Sequence, residues 1–402
     1  MAIKRVIIHL GMPKAGSSSI QATLYNNAAV LKKNCFRYLT EWGKNHVNKF
    51  HSLFHSGTSL PFGLKNLQNQ NFINKLLSVI QNSDCETLVL SGEFFHTLYL
   101  DSTIKNIQNF IQKYSYNNNI ETTIIYYIRN PLTWIISWTS QILFSSGYQN
   151  KNADFFETAI KQYHGIFKLQ AQFNDQLKII KFEDACQDKD GFVASFLTTI
   201  NFPRDELQYI DMSNSRANES RSMEVIEFVH FVEVMENSRS FLNYKQYIRS
   251  GFYRDIKALK GIKGVKFDLP FQSKVEFWER LQETVKLLKE NAHIDYTDYR
   301  IPSPLPDRET YSEQTIQEFI EAFPKLDLII QRYFLKFFEK KYMETALEKF
   351  KQLYFEGSIP HTIYSRNYSF FRVLNAQKNS IVRLTGKMLR TIRKFIRSMK
   401  LK

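Results

Sequence analysis

The period of apolar and polar residues switches repeatedly along the first two hundred positions. Lys4 to Leu10 is a short, β-branched apolar run, the pattern of a buried strand. Helical spacing follows from Ser18 to Asn27. Cys35 to Leu39 is a weak strand candidate, and Glu86 to Leu90 (ETLVL) is a clearer one that ends at Ser91-Gly92-Glu93. Ile104, Ile107, Ile111 and Tyr114 fall at helical intervals within Thr103 to Tyr114. Asn117, Asn118 and Asn119 mark a turn before Ile120 to Ile128 (IETTIIYYI), the strongest strand pattern in the chain. Pro131 suits the first turn of the next helix. Phe155 to Gln172 then reads as helix and Leu177 to Phe182 as strand. Strands that alternate with helices predict an α/β fold with a parallel sheet covered on both faces.

Strand signals fade from about Ser222 and helical pattern dominates. Pro302, Pro304 and Pro306 punctuate a loop. A helix is predicted from Ser312 as N-cap, with Glu313 in its first turn, through Phe323. The expected organisation is a core over 1–235, a helical extension of the same domain over 236–356 and a separate tail over 357–402.

Charge separates the tail from the rest. The 402 residues carry a net +15, yet 357–402 hold eleven Lys and Arg and no Asp or Glu. The preceding 356 residues keep only about +4 of that total, so charge gives no argument for a nucleic-acid partner. Ile381, Leu384, Met388, Ile392, Phe395, Ile396 and Met399 recur with basic residues between them. That is a basic amphipathic helix, suited to an anionic membrane surface over 381–402 or to docking on the domain by its apolar face. The three cysteines, Cys35, Cys85 and Cys186, form neither a disulfide framework nor a CxxC pair, which points to a reducing compartment. Val6 to Leu10 is too short for the apolar region of a signal peptide, and no run approaches 18 apolar residues. A cytoplasmic protein is expected, held at the inner face of the membrane if the tail binds there.

The chemistry concentrates where the first strand ends, in GMPKAGSSS. Gly11 and Gly16 have the spacing of a P-loop, G-x-x-x-x-G-K-[ST], but Ser17 stands where that motif has lysine. Lys14 lies inside the loop instead. Backbone N–H groups at the start of the following helix still make an anion site. The hydroxyls of Ser17, Ser18 and Ser19 can add hydrogen bonds. No strand-end aspartate suits a magnesium ligand: the LVL strand runs into Ser91 and the IIYYI strand into Arg129. A nucleotide handled without a metal is the simpler expectation.

PKAGSSS resembles the 5′-phosphosulfate loop of sulfotransferases that use 3′-phosphoadenosine 5′-phosphosulfate (PAPS). Their second mark, an Arg at a strand end with a Ser eight residues later, is matched by Arg129 and Ser137 in YYIRNPLTWIISW. KIIKFEDACQD is similar to a strand-plus-acidic segment of that family. The resemblance covers roughly residues 3 to 230, and GMPKAGSSSIQ is closer to bacterial and carbohydrate members than to phenol and steroid enzymes. It implies a P-loop-type parallel sheet flanked by helices, with PAPS as co-substrate and no metal required. Gly11, Lys14, Ala15, Gly16, Ser17, Ser18 and Ser19 would hold the 5′-phosphosulfate. Lys14 would contact the bridging oxygen, and Arg129 and Ser137 would hold the 3′-phosphate. The basic stretch that some members use on that phosphate is absent; Arg216 and Arg221 are substitutes. The acceptor would be a hydroxyl of a glycan or a lipid-linked saccharide.

Sulfuryl transfer to a hydroxyl needs a general base. In SGEFFHTL, Glu93 and His96 can face one cleft, and the stretch resembles a segment of heparan 3-O-sulfotransferases, with the histidine displaced beyond two phenylalanines. Each also has a plain alternative, a hydrogen-bonded Glu and a core His. His46, His51 and His55 are expected to be plain surface or packing histidines, with acceptor binding or a base role as the alternative, and no third ligand accompanies the i, i+4 pair of His51 and His55. Trp134 and Trp138 stack on an acceptor sugar or pack in the core. Asp188-Lys189-Asp190 matches a DxD motif by spacing alone. Two other functional readings stay open: an ATP-dependent P-loop kinase, and an inactive membrane-associated protein of the same fold.

Overall fold

The structure is a computed structural model that describes residues 2–44, 46, 67–93, 100–112, 119–145, 155–213, 221–237, 257–259, 261–304, 311–326 and 328–340. The basic tail, His51, His55, His96 and Arg216 lie outside the described residues. The chain divides into two compact units: 1–242 with 260–311, and 243–259 with 312–402.

The first unit is built on a five-stranded parallel sheet: β1 (Arg5–Gly11), β2 (Phe36–Tyr38), β3 (Thr87–Glu93), β4 (Glu121–Ile128) and β5 (Leu177–Lys181). Their spatial order is β2-β3-β1-β4-β5. Helices α1 (Ser17–Asn26), α2 (Ala28–Lys33) and α3 (Leu67–Asn82) come before β3, and α4 (Leu100–Phe110) follows it. Between β4 and β5 run α5 (Pro131–Ser145) and α6 (Phe155–Phe173). After β5 come α7 (Phe182–Cys186), α8 (Phe192–Thr199) and α9 (Met223–Asn237), then α10 (Phe271–Arg280) and α11 (Gln282–Ala292).

Burial explains why β1 and β4 were readable. Val6, Ile7, Ile8, Leu10, Ile124, Ile125, Tyr126, Tyr127 and Ile128 are all sealed from solvent. A central parallel strand is covered on both faces, so its sequence is continuously apolar rather than alternating. Each buried Val, Ile or Leu contributes roughly 1.5–3 kcal/mol through the area it removes from water. The edge strand β2 is only three residues long, which matches its weaker pattern.

Most boundaries move by a residue, α4 runs Leu100–Phe110 where Thr103 to Tyr114 was expected, and two strand ends also differ. β3 continues past Leu90 through Ser91 and Gly92 to Glu93, because β1 pairs with it residue for residue as far as Gly11↔Glu93. β5 stops at Lys181, and Phe182 opens α7 instead of ending the strand.

In the second unit, α12 (Glu313–Ala322) and α13 (Leu328–Lys340) pack through aromatic rings. Phe319 meets Phe334 and Phe338 at 5.2 and 5.7 Å between centroids. Ser312 caps α12 as expected, its hydroxyl accepting from the Thr315 N–H at 3.1 Å.

Candidate phosphate-binding site

β1 and β4 are neighbours, but the chain leaves them in opposite directions. From β1 it passes through α1 and α2 to β2; from β4 it passes through α5 and α6 to β5. Such a switch point opens a crevice at the carboxyl ends of the strands, where α/β sheets bind ligands. The loop Met12–Gly16 forms one side of this crevice, and Arg129-Asn130 forms the other.

The loop is tightly specified. The Ala15 N–H donates to the Met12 carbonyl at 3.1 Å, closing a turn. Lys14 has φ 66° and Gly16 has φ 81°. The left-handed region costs a non-glycine residue roughly 1–2 kcal/mol, so the surroundings must hold Lys14 there. They do so from the α5 side. Arg129 Nη1 donates to the Lys14 carbonyl at 2.8 Å, and the Trp134 indole Nε1–H donates to the Pro13 carbonyl at 2.8 Å. Gly16 needs both its missing side chain and its φ: a Cβ there would overlap the Phe192 ring. A Cβ on Gly11 would overlap the Ser17 hydroxyl.

Helix α1 begins at Ser17; the Ser19 N–H donates to the Gly16 carbonyl at 2.9 Å, and the N–H groups ahead of it stand at the helix start, where helical acceptors run out. With the helix dipole, this is an anion site. The three serines are not equivalent. Ser17 and Ser19 are buried, and Ser17 Oγ sits against Gly11, whereas Ser18 is half-buried. Lys14 is also half-buried, and Ala15 is sealed in the core, so Ala15 offers only its backbone.

Arg129 is fixed by contacts to its backbone and its side chain. Tyr163 donates its hydroxyl to the Arg129 carbonyl at 2.6 Å. The next N–H, of Asn130, donates to Glu183 Oε1 at 2.9 Å. Asn130 caps α5, its Oδ1 accepting from the N–H groups of Leu132 and Thr133 at 3.0 and 3.2 Å. Arg129 Nε donates to Thr133 Oγ1 at 3.1 Å, and the guanidinium lies over the Phe182 ring at 5.5 Å. Burial pulls the Arg129 pKa down, and the negative charge of Glu183 opposes that shift. Two of the five guanidinium N–H donors are assigned by these bonds, which leaves three for a ligand. Ser137 lies one turn beyond Thr133 on the same face of α5, so Arg129, Thr133 and Ser137 form one polar edge.

Glu93 sits beside Gly11 in the sheet register, at the carboxyl end of β3. A carboxylate-bearing residue therefore does stand at a strand end next to the loop, where the strand was expected to stop short of it. Arg221, in contrast, lies over the Phe144 ring at 4.6 Å. Sequence reasoning missed Thr133, Tyr163, Phe192 and Tyr296, and it took Glu183 only as part of a structural marker. Thr133 meets Arg129 from four positions along the chain, and the other four meet the site through contacts distant in sequence. Tyr296, for example, reaches Glu183 Oε2 at 3.0 Å across 113 positions.

A second set of reactive residue types lies on and beside the sheet, with His9 in β1, Ser91 in β3 and His46 in the segment after β2. His9 Nδ1 and Ser91 Oγ are 2.8 Å apart, and the Ser91 N–H points at His46 Nδ1 at 3.5 Å. The arrangement is a Ser–His pair, but all three residues are sealed from solvent. Burial pushes the His9 pKa down to about 3 and that of His46 to about 4, so both are neutral at physiological pH. His46 Nε2 donates to the Leu39 carbonyl at 3.1 Å and the ring stacks on Tyr38, so His46 is a packing histidine. Trp134 stacks on Trp138 at 5.5 Å and is 1% exposed, which makes it core rather than a sugar platform. Asp188-Lys189-Asp190 is a turn with Lys189 and Asp190 exposed and Asp188 half-buried, and no group of three metal-ligating side chains occurs among the described residues.

No family model matches the chain, and no curated protein does. Among solved structures, it is similar to a sulfotransferase from Alicyclobacillus acidocaldarius (13% identity, TM-score 0.34, covering 53% of this chain and 86% of the other). It is similar to the sulfotransferase domain from the curacin biosynthetic pathway (15%, 0.28, 50% and 76%). It is also similar to retinol dehydratase, solved in complex with androsterone and inactive cofactor PAP (14%, 0.30, 75% and 84%). At these identities and scores, the likeness carries no weight for function.

Proposed function

We infer that this chain is a sulfotransferase that moves a sulfuryl group from PAPS to a hydroxyl acceptor. One observation carries the reading: an anion-binding loop with its lysine inside it is tied directly to a second cation, Arg129, on the facing strand end. A nucleotide with phosphate at both its 5′ and 3′ positions calls for two cationic subsites of this kind. The residues fit such a ligand by their donor chemistry. The α1 N–H groups, Lys14 and Ser18 would hold the 5′-phosphosulfate; Arg129 and Ser137 would hold the 3′-phosphate.

In the reaction, Glu93 takes the proton of the acceptor hydroxyl as its oxygen attacks sulfur. The bond between sulfur and the bridging oxygen breaks, and its electron pair stays on the 5′-phosphate. Lys14 stabilises the charge that develops there. His96, three residues beyond Glu93, is the second base candidate. The acceptor is read as a glycan or glycolipid from the GMPKAGSSSIQ pattern, and as a lipid-linked saccharide if 381–402 binds membrane; no nucleic-acid partner is part of the proposal. The 381–402 segment is proposed to hold a cytoplasmic enzyme at an anionic membrane surface; no helix among the described residues is long and apolar enough to cross a membrane.

Glu93 at the end of β3 also favours a second reading, because a carboxylate beside a phosphate loop can hold Mg²⁺ for an ATP-dependent kinase. Transfer of radiolabelled sulfate from PAPS to glycan extracts of the host separates the two readings. The wild type is expected to label and Lys14→Ala to label at least about 100-fold less. Equal labelling by both, or ATP-dependent phosphorylation in its place, overturns the sulfotransferase reading.

A further inference from the structure

We propose that Trp134 is a positioning residue of the phosphate loop, acting through the hydrogen bond from its indole N–H to the Pro13 carbonyl. By burial alone, Trp134 is a core residue: it is 1% exposed, stacks on Trp138 and meets Tyr163 edge-on at 6.2 Å. Packing asks only for a large ring. The ring chosen has a single N–H, and that N–H points out of the core onto the loop 121 positions earlier. A phenylalanine would fill much of the same space and leave the carbonyl without its donor.

The place of this bond gives it leverage. It holds the peptide that enters Lys14, and the Arg129 bond holds the peptide that leaves it. Lys14 between them is the non-glycine residue in the left-handed region at the tip of the loop. With every described peptide trans, the carbonyl and N–H of one peptide point in opposite directions. Fixing the Pro13 carbonyl on Trp134 therefore fixes the direction of the Lys14 N–H. It also fixes where the Lys14 side chain leaves the backbone. Both donors stand at the start of α5, and α5 is itself anchored by the Asn130 cap and by Glu183. Trp134 thus ties the geometry of the loop to that of the Arg129 helix without touching a ligand.

Part of the test rests on the PAPS reading and part does not. Amide hydrogen exchange on the full chain without ligand compares the wild type with Trp134→Phe and Trp138→Phe. Trp138→Phe perturbs the same aromatic stack but removes no bond to the loop. Trp134→Phe is expected to speed exchange at Ala15, whose N–H closes the loop turn, about tenfold, with Ile8 and Ile124 in the sheet unchanged. Trp138→Phe is expected to leave Ala15 unchanged. Calorimetry with adenosine 3′,5′-bisphosphate in EDTA then tests the consequence. Trp134→Phe should bind about tenfold more weakly than the wild type, and Trp138→Phe should match it. Unchanged exchange at Ala15 in Trp134→Phe overturns the proposal, as does equal acceleration by both variants. Nucleotide affinity equal to that of the wild type also overturns it. Failure of the wild type to bind the bisphosphate removes the PAPS reading instead, and the exchange result still decides the role of Trp134. If Trp134→Phe does not fold, benzothienylalanine at 134 keeps the shape, replaces the N–H with sulfur and is read in the same way.

Discussion

The first unit contains two groups of residues with catalytic chemistry, and they differ in what surrounds them. The loop Gly11–Ser19 meets Arg129 at the carboxyl ends of the inner strands β1 and β4, with Lys14 and Ser18 half-buried. His9 and Ser91 lie in adjacent strands with His46 beside them, each histidine bonded to Ser91 and all three closed to solvent. By residue type alone, the second group is the better enzyme site, since a histidine within 2.8 Å of a serine hydroxyl is how a nucleophile is activated. Burial reverses that judgement. It keeps both rings neutral down to low pH and leaves no path for a substrate. The loop has the opposite properties: cationic side chains, the leading N–H groups of a helix, and a strained residue held in place by bonds from another element. The proposed site is therefore chosen by charge and access before residue type.

The largest effect that would break this comparison is at Lys14. Lys14→Ala should lower sulfate transfer by about 100-fold or more while the melting temperature stays within a few degrees, measured by labelled-sulfate transfer and calorimetric melting. His9→Gln should show the reverse, lowering stability while transfer by the folded fraction stays near that of the wild type. Substantial loss of turnover by folded His9→Gln would make the buried group part of the site.

The next effect separates two glycines. Gly16→Ala forces a Cβ into the Phe192 ring at a left-handed φ and should cost about 2–4 kcal/mol in denaturant unfolding. Gly191 has φ 90° but open space around a Cβ, so Gly191→Ala should cost only about 1–2 kcal/mol. Equal costs would mean that the contact with Phe192 does not constrain the loop.

The buried histidines give the third prediction, through acid. Their folded pKa values, about 3 and about 4, lie below the unfolded value of 6.5. Below pH 6.5 the unfolded chain binds protons that the folded chain refuses. The stability they confer is therefore full above 6.5 and declines as pH falls toward the folded values. Each histidine should contribute a slope of about 1.4 kcal/mol per pH unit within that window. His9→Gln should remove about half of the combined slope between pH 6 and pH 4.5, measured by urea unfolding. The smallest effect is expected at the exposed DxD turn, where Asp190→Ala should change stability by no more than about 0.5 kcal/mol and transfer not at all.

These comparisons also show which parts of the molecule can be read from its sequence. The strands β1 and β4 were legible because central parallel strands write burial on both faces as unbroken β-branched runs. The pairing of Arg129 with the loop was legible because both lie at strand ends, and parallel strands end on one side of the sheet. The reach of β3 to Glu93 was not, since Ser91 and Gly92 carry a turn signal that the pairing with β1 overrides. Trp134 was read as core or sugar platform, and it is core; nothing local could show that its one polar atom reaches Pro13. The contacts of Tyr163, Glu183 and Tyr296 around Arg129 and Asn130 exist only once α6, α7 and the segment after α11 are folded together.

Isothermal titration of the full chain with adenosine 3′,5′-bisphosphate in EDTA, beside ATP with and without Mg²⁺, tests the central claim most directly. The account predicts metal-free binding of the bisphosphate that Arg129→Ala weakens by at least about tenfold, a loss of the size expected for charge-assisted hydrogen bonds to phosphate. Binding of ATP that requires Mg²⁺, with none of the bisphosphate, would contradict it.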